Sequence, residues 1–269
     1  MSKIKTILIT GHEGFIGSNF VKFLKKKKIN FEIFNNKLFR KKNLNKYSHI
    51  FHFAFKKNLK GMKIESYFDC NLLFTKKLIL FAKKNNIQLI FPSTPSYFPS
   101  IKKHKESDLL YSYNLYSFTK ILCEKIILKQ KNLNFIILRI FNVYGEGGSS
   151  FLEKLKFQIN KNVKFMFNEN DWIIRDFINI QDLFKVFEFV IFNKLNKKIL
   201  NLGSGKSYSL KQIVNKVDKR NKIKFSNNIH FTPSRPVVSS NNSKLMKFIK
   251  FKPNKNIYSY FSEKKKFII

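Results

Sequence analysis

Cysteine is almost absent from this chain. Cys70 and Cys123 stand far apart and belong to no C-x-x-C or metal-ligand spacing. That excludes a disulfide framework and a cysteine metal centre, and predicts lone thiols in a reducing compartment. No apolar run approaches the ~20 residues that span a bilayer, so no membrane partner is expected. The chain enters a strand within its first few residues, which leaves no room for a leader segment and makes the cytoplasm the expected compartment. Acid is scarce: 16 Asp plus Glu face 53 Lys plus Arg, for a net charge of +37. The cations are scattered, with short runs at Lys25–Lys28 and Lys264–Lys266 and no basic arm. Tryptophan occurs once against 32 phenylalanines. Lys, Asn, Ile and Phe all have codons rich in A and T, so the charge reads as a drifted, solvated surface and not as a nucleic-acid face. A field of that sign still favours an anionic substrate.

Only nine glycines are present, and Gly11, Gly14 and Gly17 share one turn. Before them, Ile7-Leu8-Ile9 is a short apolar run, as in a parallel strand covered on both faces. After them, Phe15 and Ile16 open a helix. Glycine lets the backbone turn tightly and lets a pyrophosphate come close, while the helix N-terminus faces the phosphates. This strand–turn–helix predicts a dinucleotide site at Gly11, Gly14, Phe15, Ile16 and Gly17.

A second strand is expected at Phe31–Phe34. Its end, where an acid usually holds the adenosine ribose, carries Asn35-Asn36, with Lys37 and Arg40 close behind. Both NAD and NADP fit that pattern. The basic segment Lys37–Lys46 is too short for the usual crossover, so a helix and strand are expected to be trimmed there. Ser48–Phe55 reads as the next strand and Tyr67–Asn85 as a helix with Asn71 inside it. Gln88–Phe91 reads as a strand that breaks at Pro92-Ser93-Thr94-Pro95, setting hydroxyls at a strand end. Tyr116-x-x-x-Lys120 opens a further helix, its two polar groups one turn apart on one face. A nearby ammonium and a positive nicotinamide ring both favour the phenolate, which makes Tyr116 a plausible general acid/base. Further strands are read at Asn134–Phe141, Trp172–Ile178 and Ile199–Gly203, and helices at Phe151–Ile159 and Gln181–Phe192.

Taken together, Gly11-x-x-Gly14-x-x-Gly17, His52-Phe53-Ala54, Asn71-x-x-Phe74-Thr75, Tyr116-x-x-x-Lys120, Arg139-x-x-Asn142-Val143-Tyr144-Gly145, Arg175-Asp176-Phe177 and Asn201-Leu202-Gly203 resemble the extended short-chain dehydrogenase/reductases. The resemblance is to the branch of NAD-dependent nucleotide-sugar epimerases and dehydratases, and runs from about Ile4 to about Pro253. It implies an α/β fold: a Rossmann-type doubly wound parallel sheet with a smaller mixed α/β C-terminal substrate-binding lobe. It divides the chain into residues 1–145, returning at about 177–203, for NAD(P), and 146–176 with 204–269 for substrate. It makes Tyr116 the acid/base, Lys120 its partner on the ribose, and Thr94 the third catalytic group, with Ser93 the choice if Tyr97 is matched instead. Asn35, His52, Phe53 and Ala54 fall at cofactor positions, though His52 by itself reads as packing. Asn142, Arg175 and Arg235 fall at diphosphate positions, although Arg175 beside Asp176 also reads as a plain surface ion pair. Pro95-Ser96 replaces the Asp-Glu pair of the dehydratases, which argues against that activity. What remains is C4 epimerisation of a nucleotide sugar, as in polysaccharide biosynthesis, reduction of a 4-keto-6-deoxy sugar nucleotide, or dinucleotide binding with weakened turnover. By the same resemblance, the helices Tyr67–Asn85 and Tyr116–Gln130 match those that form a dimer interface in the family, which implies a homodimer. No metal is expected.

Overall fold

In the computed structural model, residues 6–41, 44–57, 63–97, 102–167, 173–225, 237–249, 253 and 255–262 are described. The chain begins β1 (Thr6–Thr10), α1 (Phe15–Lys26), β2 (Phe31–Ile33), a 3₁₀ turn (Asn36–Arg40) and β3 (Tyr47–His52). Next come α2 (Ile64–Phe68), a π-helical turn (Asp69–Leu73), α3 (Phe74–Lys84), β4 (Gln88–Ser93), α4 (Leu115–Leu128) and β5 (Phe135–Ile140). Then follow β6 (Asn142–Tyr144), α5 (Phe151–Lys161), β7 (Phe165–Phe167), β8 (Ile174–Asn179), α6 (Ile180–Phe192) and β9 (Lys198–Leu202). The last elements are β10 (Ser207–Ser209), α7 (Leu210–Val217), β11 (Ile223–Phe225), β12 (Val237–Val238), α8 (Ser243–Phe248) and α9 (Ser259–Ser262).

Two compact units result. The first takes residues 1–98, 109–140 and 186–200; the second takes 99–108, 141–185 and 201–269. These boundaries give 99–108, 141–145, 177–185 and 201–203 to the second unit, unlike the division drawn from the sequence. The first unit is built on a six-stranded sheet in the order β2-β1-β3-β4-β5-β9. The pairings β1–β2, β1–β3, β3–β4 and β4–β5 are parallel. One sheet face packs Leu8, Ile50, Leu89, Phe91 and Ile137 against Leu78 and Ala82 of α3 and Cys123 and Ile127 of α4. On the other face the Phe20, Phe51 and Phe187 rings meet tilted or edge-on, with centroids 4.7–5.2 Å apart. Phenylalanine thus supplies much of the bulk on this second face, whereas the first is filled mainly by aliphatic side chains.

The trimmed crossover is real. β2 pairs only with β1 among the described strands, and β3 follows directly on β1's other side. The strand expected over Ser48–Phe55 ends at His52, leaving residues 53–55 as the loop beyond it. The strand expected to break at Pro92 continues through Ser93, with Pro92 opposite Leu138. β3 pairs with β4 only as far as Ile90, so Pro92 sits where β4 is an edge on that side, a place proline tolerates.

The second unit holds β10-β8-β12, with β6 also on β8, and a separate β7–β11 pair. Its core gathers Tyr144, Leu152, Leu155, Phe167, Phe177, Leu210 and Ile213. Trp172 and Arg235 lie outside the described residues. No described helix is long and apolar enough to cross a membrane.

Candidate active site

The glycine turn is shaped by close approach. Gly11 has φ +70°, and a Cβ there would stand 2.3 Å from the Ala54 nitrogen. A Cβ on Gly17 would stand 2.1 Å from the Gly11 carbonyl oxygen. Neither position admits a side chain. Gly14 differs: a Cβ would meet only the Gly11 oxygen, at 3.5 Å. Its bareness leaves open space at the head of α1, which has no side-chain cap and no acid in its first turn. The leading N–H groups of Phe15, Ile16 and Gly17 are therefore available to an anion, so the turn fits a pyrophosphate.

Behind the turn runs a hydrogen-bonded relay. The Thr10 hydroxyl meets His52 Nδ1 at 2.8 Å and accepts from the Ala54 N–H at 3.1 Å. His52 Nε2 meets the Thr75 hydroxyl at 2.9 Å, and that hydroxyl donates to the Asn71 carbonyl. With its one proton committed to Asn71, Thr75 must accept from Nε2–H, leaving Nδ1 to accept from Thr10. Burial, reinforced by the Lys120 charge, pushes His52 down to about 3 and keeps it neutral. Its ring is wholly buried, so His52 positions the loop and can offer a cofactor only its backbone. Asn71 clamps the same loop: its side chain accepts from the Lys56 N–H at 2.8 Å and donates to the Lys56 carbonyl at 3.0 Å. Asn71 sits in the π turn, a helix irregularity that often marks functional positions.

On α4, Asn114 and Ser117 form a capping box that starts the helix just before Tyr116. Lys120 is 3% exposed and donates to the Pro92 carbonyl at 2.5 Å. Its ammonium lies 3.8 Å from the Phe55 ring centroid and 4.5 Å from that of Phe91. Burial lowers it to about 7, against smaller opposing effects from Cys123 and Glu124. Tyr116 meets the same Phe55 ring edge-on at 5.7 Å. Phe55 is thus a shared wall of Tyr116 and Lys120 that the sequence did not single out. Ser93 is 6% exposed, and its hydroxyl has no hydrogen-bond partner among the described residues. Strand alternation puts Ser93 on the sheet face of Phe91. Thr94 lies past the strand end, half-buried, with its carbonyl accepting from the Ser96 N–H at 2.8 Å.

Glu124 extends the Tyr116, Lys120 stripe by one more turn. Arg139 of β5 donates to it from Nε at 3.1 and 3.2 Å and from Nη2 at 2.7 Å. Arg139 Nη1 also donates to the Tyr97 hydroxyl at 3.1 Å. The carboxylate raises the guanidinium further above its ordinary value, outweighing the burial that would lower it. The Tyr113 hydroxyl donates to the Tyr97 carbonyl at 3.0 Å. Strand β5, helix α4 and the loop after β4 are locked together by this one cluster.

Asn35 is exposed, and its side chain accepts from the Lys37 N–H at 3.0 Å, capping the 3₁₀ turn. In the second unit, Asn142 donates to the Asp176 carbonyl at 2.9 Å, and Arg175 is half-buried with Nη1 on the Ile174 carbonyl at 2.9 Å. Asp176 is not a surface partner of Arg175. It is buried and accepts from Ser204, Gly205 and Ser240. Burial raises its carboxyl despite those hydrogen bonds.

A parallel sheet with this turn at its first crossover defines a dinucleotide-binding α/β protein. The chain belongs to the NAD-dependent epimerase/dehydratase family, whose model matches residues 7–203. It is 26% identical over 252 residues to an ADP-L-glycero-D-manno-heptose-6-epimerase of Brachyspira hyodysenteriae, covering 77% of this chain and 78% of that one. It is 30% identical over 193 residues to a dTDP-4-dehydro-6-deoxyglucose reductase of Escherichia coli, covering 65% and 58%. The fold matches that of UDP-glucose 4-epimerase from Thermotoga maritima, solved with UDP-glucose, with a TM-score of 0.81 at 16% identity over 95% and 96% of the two chains.

Proposed function

We propose that the chain is an NAD(P)-dependent nucleotide-sugar epimerase acting at C4. The observation that carries the reading is Tyr116 one turn from Lys120, with Lys120 tied to the carbonyl beside the hydroxyl-bearing end of β4. A nicotinamide held beside the glycine turn would supply the hydride acceptor and donor. Tyr116 takes the proton of the sugar hydroxyl and later gives one back. A strand-end hydroxyl, Thr94 or Ser93, hydrogen-bonds the same oxygen. A protonated Lys120 favours the phenolate of Tyr116. Asn142, Arg175 and Arg235 are proposed for the diphosphate, where an arginine fork donates two parallel hydrogen bonds. Epimerases among the relatives support this reading. The second reading, a keto-sugar reductase, is favoured by the 30% identical relative and by the absence of an acid at Asn35. We place the protein in the cytoplasm, in keeping with its two free cysteines. Exposed Ile64, Leu73 and Leu80 on the α2–α3 segment and Phe118 and Leu128 on α4 suit a homodimer face.

The test is Tyr116→Phe with a panel of nucleotide sugars and no added reductant. Wild type should interconvert two C4 epimers, and the variant should lose about 10²–10⁴-fold in kcat. Unchanged turnover removes Tyr116 from the chemistry. In a parallel assay with added NADPH and a 4-keto-6-deoxy sugar nucleotide, stoichiometric NADPH consumption replaces the epimerase with the reductase.

A further inference from the structure

A cavity of about 880 Å³ opens in the first unit and is lined by Asn36, Arg40, Ala54, Lys56, Asp69 and Lys77 among others. Asn36 follows β2 and Ala54 follows β3, so the cavity lies at the carboxyl ends of two adjacent parallel pairings, where doubly wound sheets take ligands. The Ala54 backbone that forms one wall is packed against Gly11, which sets the cavity beside the glycine turn. Three cations line it against the single carboxylate of Asp69, and none of Arg40, Lys56 and Lys77 has an ion pair among the described residues.

The frame around these cations is fixed. The 3₁₀ turn that ends at Arg40 is capped by Asn35 and anchored by buried Leu38. The Lys56 backbone is held at both its N–H and its carbonyl by Asn71. The acid that would hydrogen-bond a free ribose diol and repel a phosphate is missing from the end of β2. The strand's own carboxylate, Glu32, is engaged by Lys46 and the Tyr47 hydroxyl.

We infer that this cavity binds the 2′-phosphate of a phosphorylated dinucleotide, so that the chain prefers NADP(H) to NAD(H), with Arg40 as the principal contact. The inference rests on the dinucleotide reading of the glycine turn and adds the ligand's extra dianion to it. Arg40 suits that group because its planar fork matches a phosphate bidentately. Lys56 and Lys77 add point charges that salt weakens.

The experiment is titration of the full chain with NADP+ and NAD+, followed by competition with 2′,5′-ADP and with 3′,5′-ADP, an isomer of equal charge. NADP+ should bind about tenfold tighter than NAD+ or better at low salt, and the margin should narrow as salt rises. 2′,5′-ADP should displace it better than 3′,5′-ADP. Arg40→Ala should reduce NADP+ affinity about tenfold while shifting NAD+ affinity far less. Arg40 is exposed, so the variant should fold, and far-ultraviolet circular dichroism checks that it does. NAD+ binding as tightly as NADP+ overturns the inference and leaves the dinucleotide site standing. Equal displacement by the two bisphosphates also overturns it, assigning the effect to the +37 field. Failure to bind either dinucleotide overturns the inference and the dinucleotide reading together.

Discussion

Glu124 and Arg139 are 1% and 3% exposed, and three donor contacts of 2.7–3.2 Å join them. Glu124→Gln keeps the shape and removes the charge, so the Arg139 guanidinium stays buried without its counter-ion. Removing one member of a buried pair costs about 3–5 kcal/mol, whereas replacing both members by apolar groups of similar volume is often neutral or stabilising. Hydrogen exchange read on α4 and β5 peptides suits a chain of two units, for which a single global unfolding energy is poorly defined. Glu124→Gln should lower protection in both elements by about 10²–10³-fold or more, as that energy requires. Glu124→Leu with Arg139→Met should restore most of it. Tyr97→Phe should cost less, about 1–2 kcal/mol, because Arg139 then loses one acceptor. If Glu124→Gln costs under about 1 kcal/mol, or if the double variant is as damaged as the sum of the singles, the pair does not hold α4 on the sheet.

Two further outcomes are expected. Gly14→Ala should fold normally and lose dinucleotide affinity in a calorimetric titration, because its methyl meets only the Gly11 oxygen at 3.5 Å. Gly17→Ala should lose about 1–3 kcal/mol or more in denaturant melts, because its methyl would stand 2.1 Å from that oxygen; equal effects on folding would refute the distinction. Lys120 falls from an ordinary 10.5 to about 7 on burial. Between those pH values the unfolded chain holds a proton that the folded chain has released, so this group makes stability rise with pH, and it is flat below about 7. Wild type should therefore gain a few kcal/mol on Lys120→Met across that window, and a gap that narrows instead would refute the burial of the ammonium.

The glycine turn was legible because its constraint is local: the geometry that excludes Cβ at Gly11 and Gly17 arises within one crossover and the loop behind it. Tyr116 and Lys120 were legible because helical spacing alone puts them on one face. The trimmed crossover was legible from chain length between β2 and β3. What stayed hidden depends on partners distant in sequence. Helical periodicity read Tyr67–Asn85 as regular, whereas the helical segment starts at Ile64 and carries a π turn whose Asn71 answers to Lys56. Arg139 was visible only as a family marker, since nothing near it in sequence points to Glu124 or Tyr97. Asp176 looked like a neighbour's ion-pair partner because Ser204 and Ser240 lie far along the chain. Pro92 looked like a breaker because the early end of β3 pairing cannot be read from β4.

The second unit closes late. Its buried Asp176 waits for Ser240, Asn201 for Asn241, and the Tyr144 hydroxyl for the Lys255 carbonyl. A ribosome makes the chain from its amino end, so these bonds become available only when the final stretch emerges. A released fragment ending at Gly205 would hold every segment of the first unit, while its Asp176 carboxylate would lack the Ser240 hydroxyl and keep only Ser204 and Gly205 of these partners.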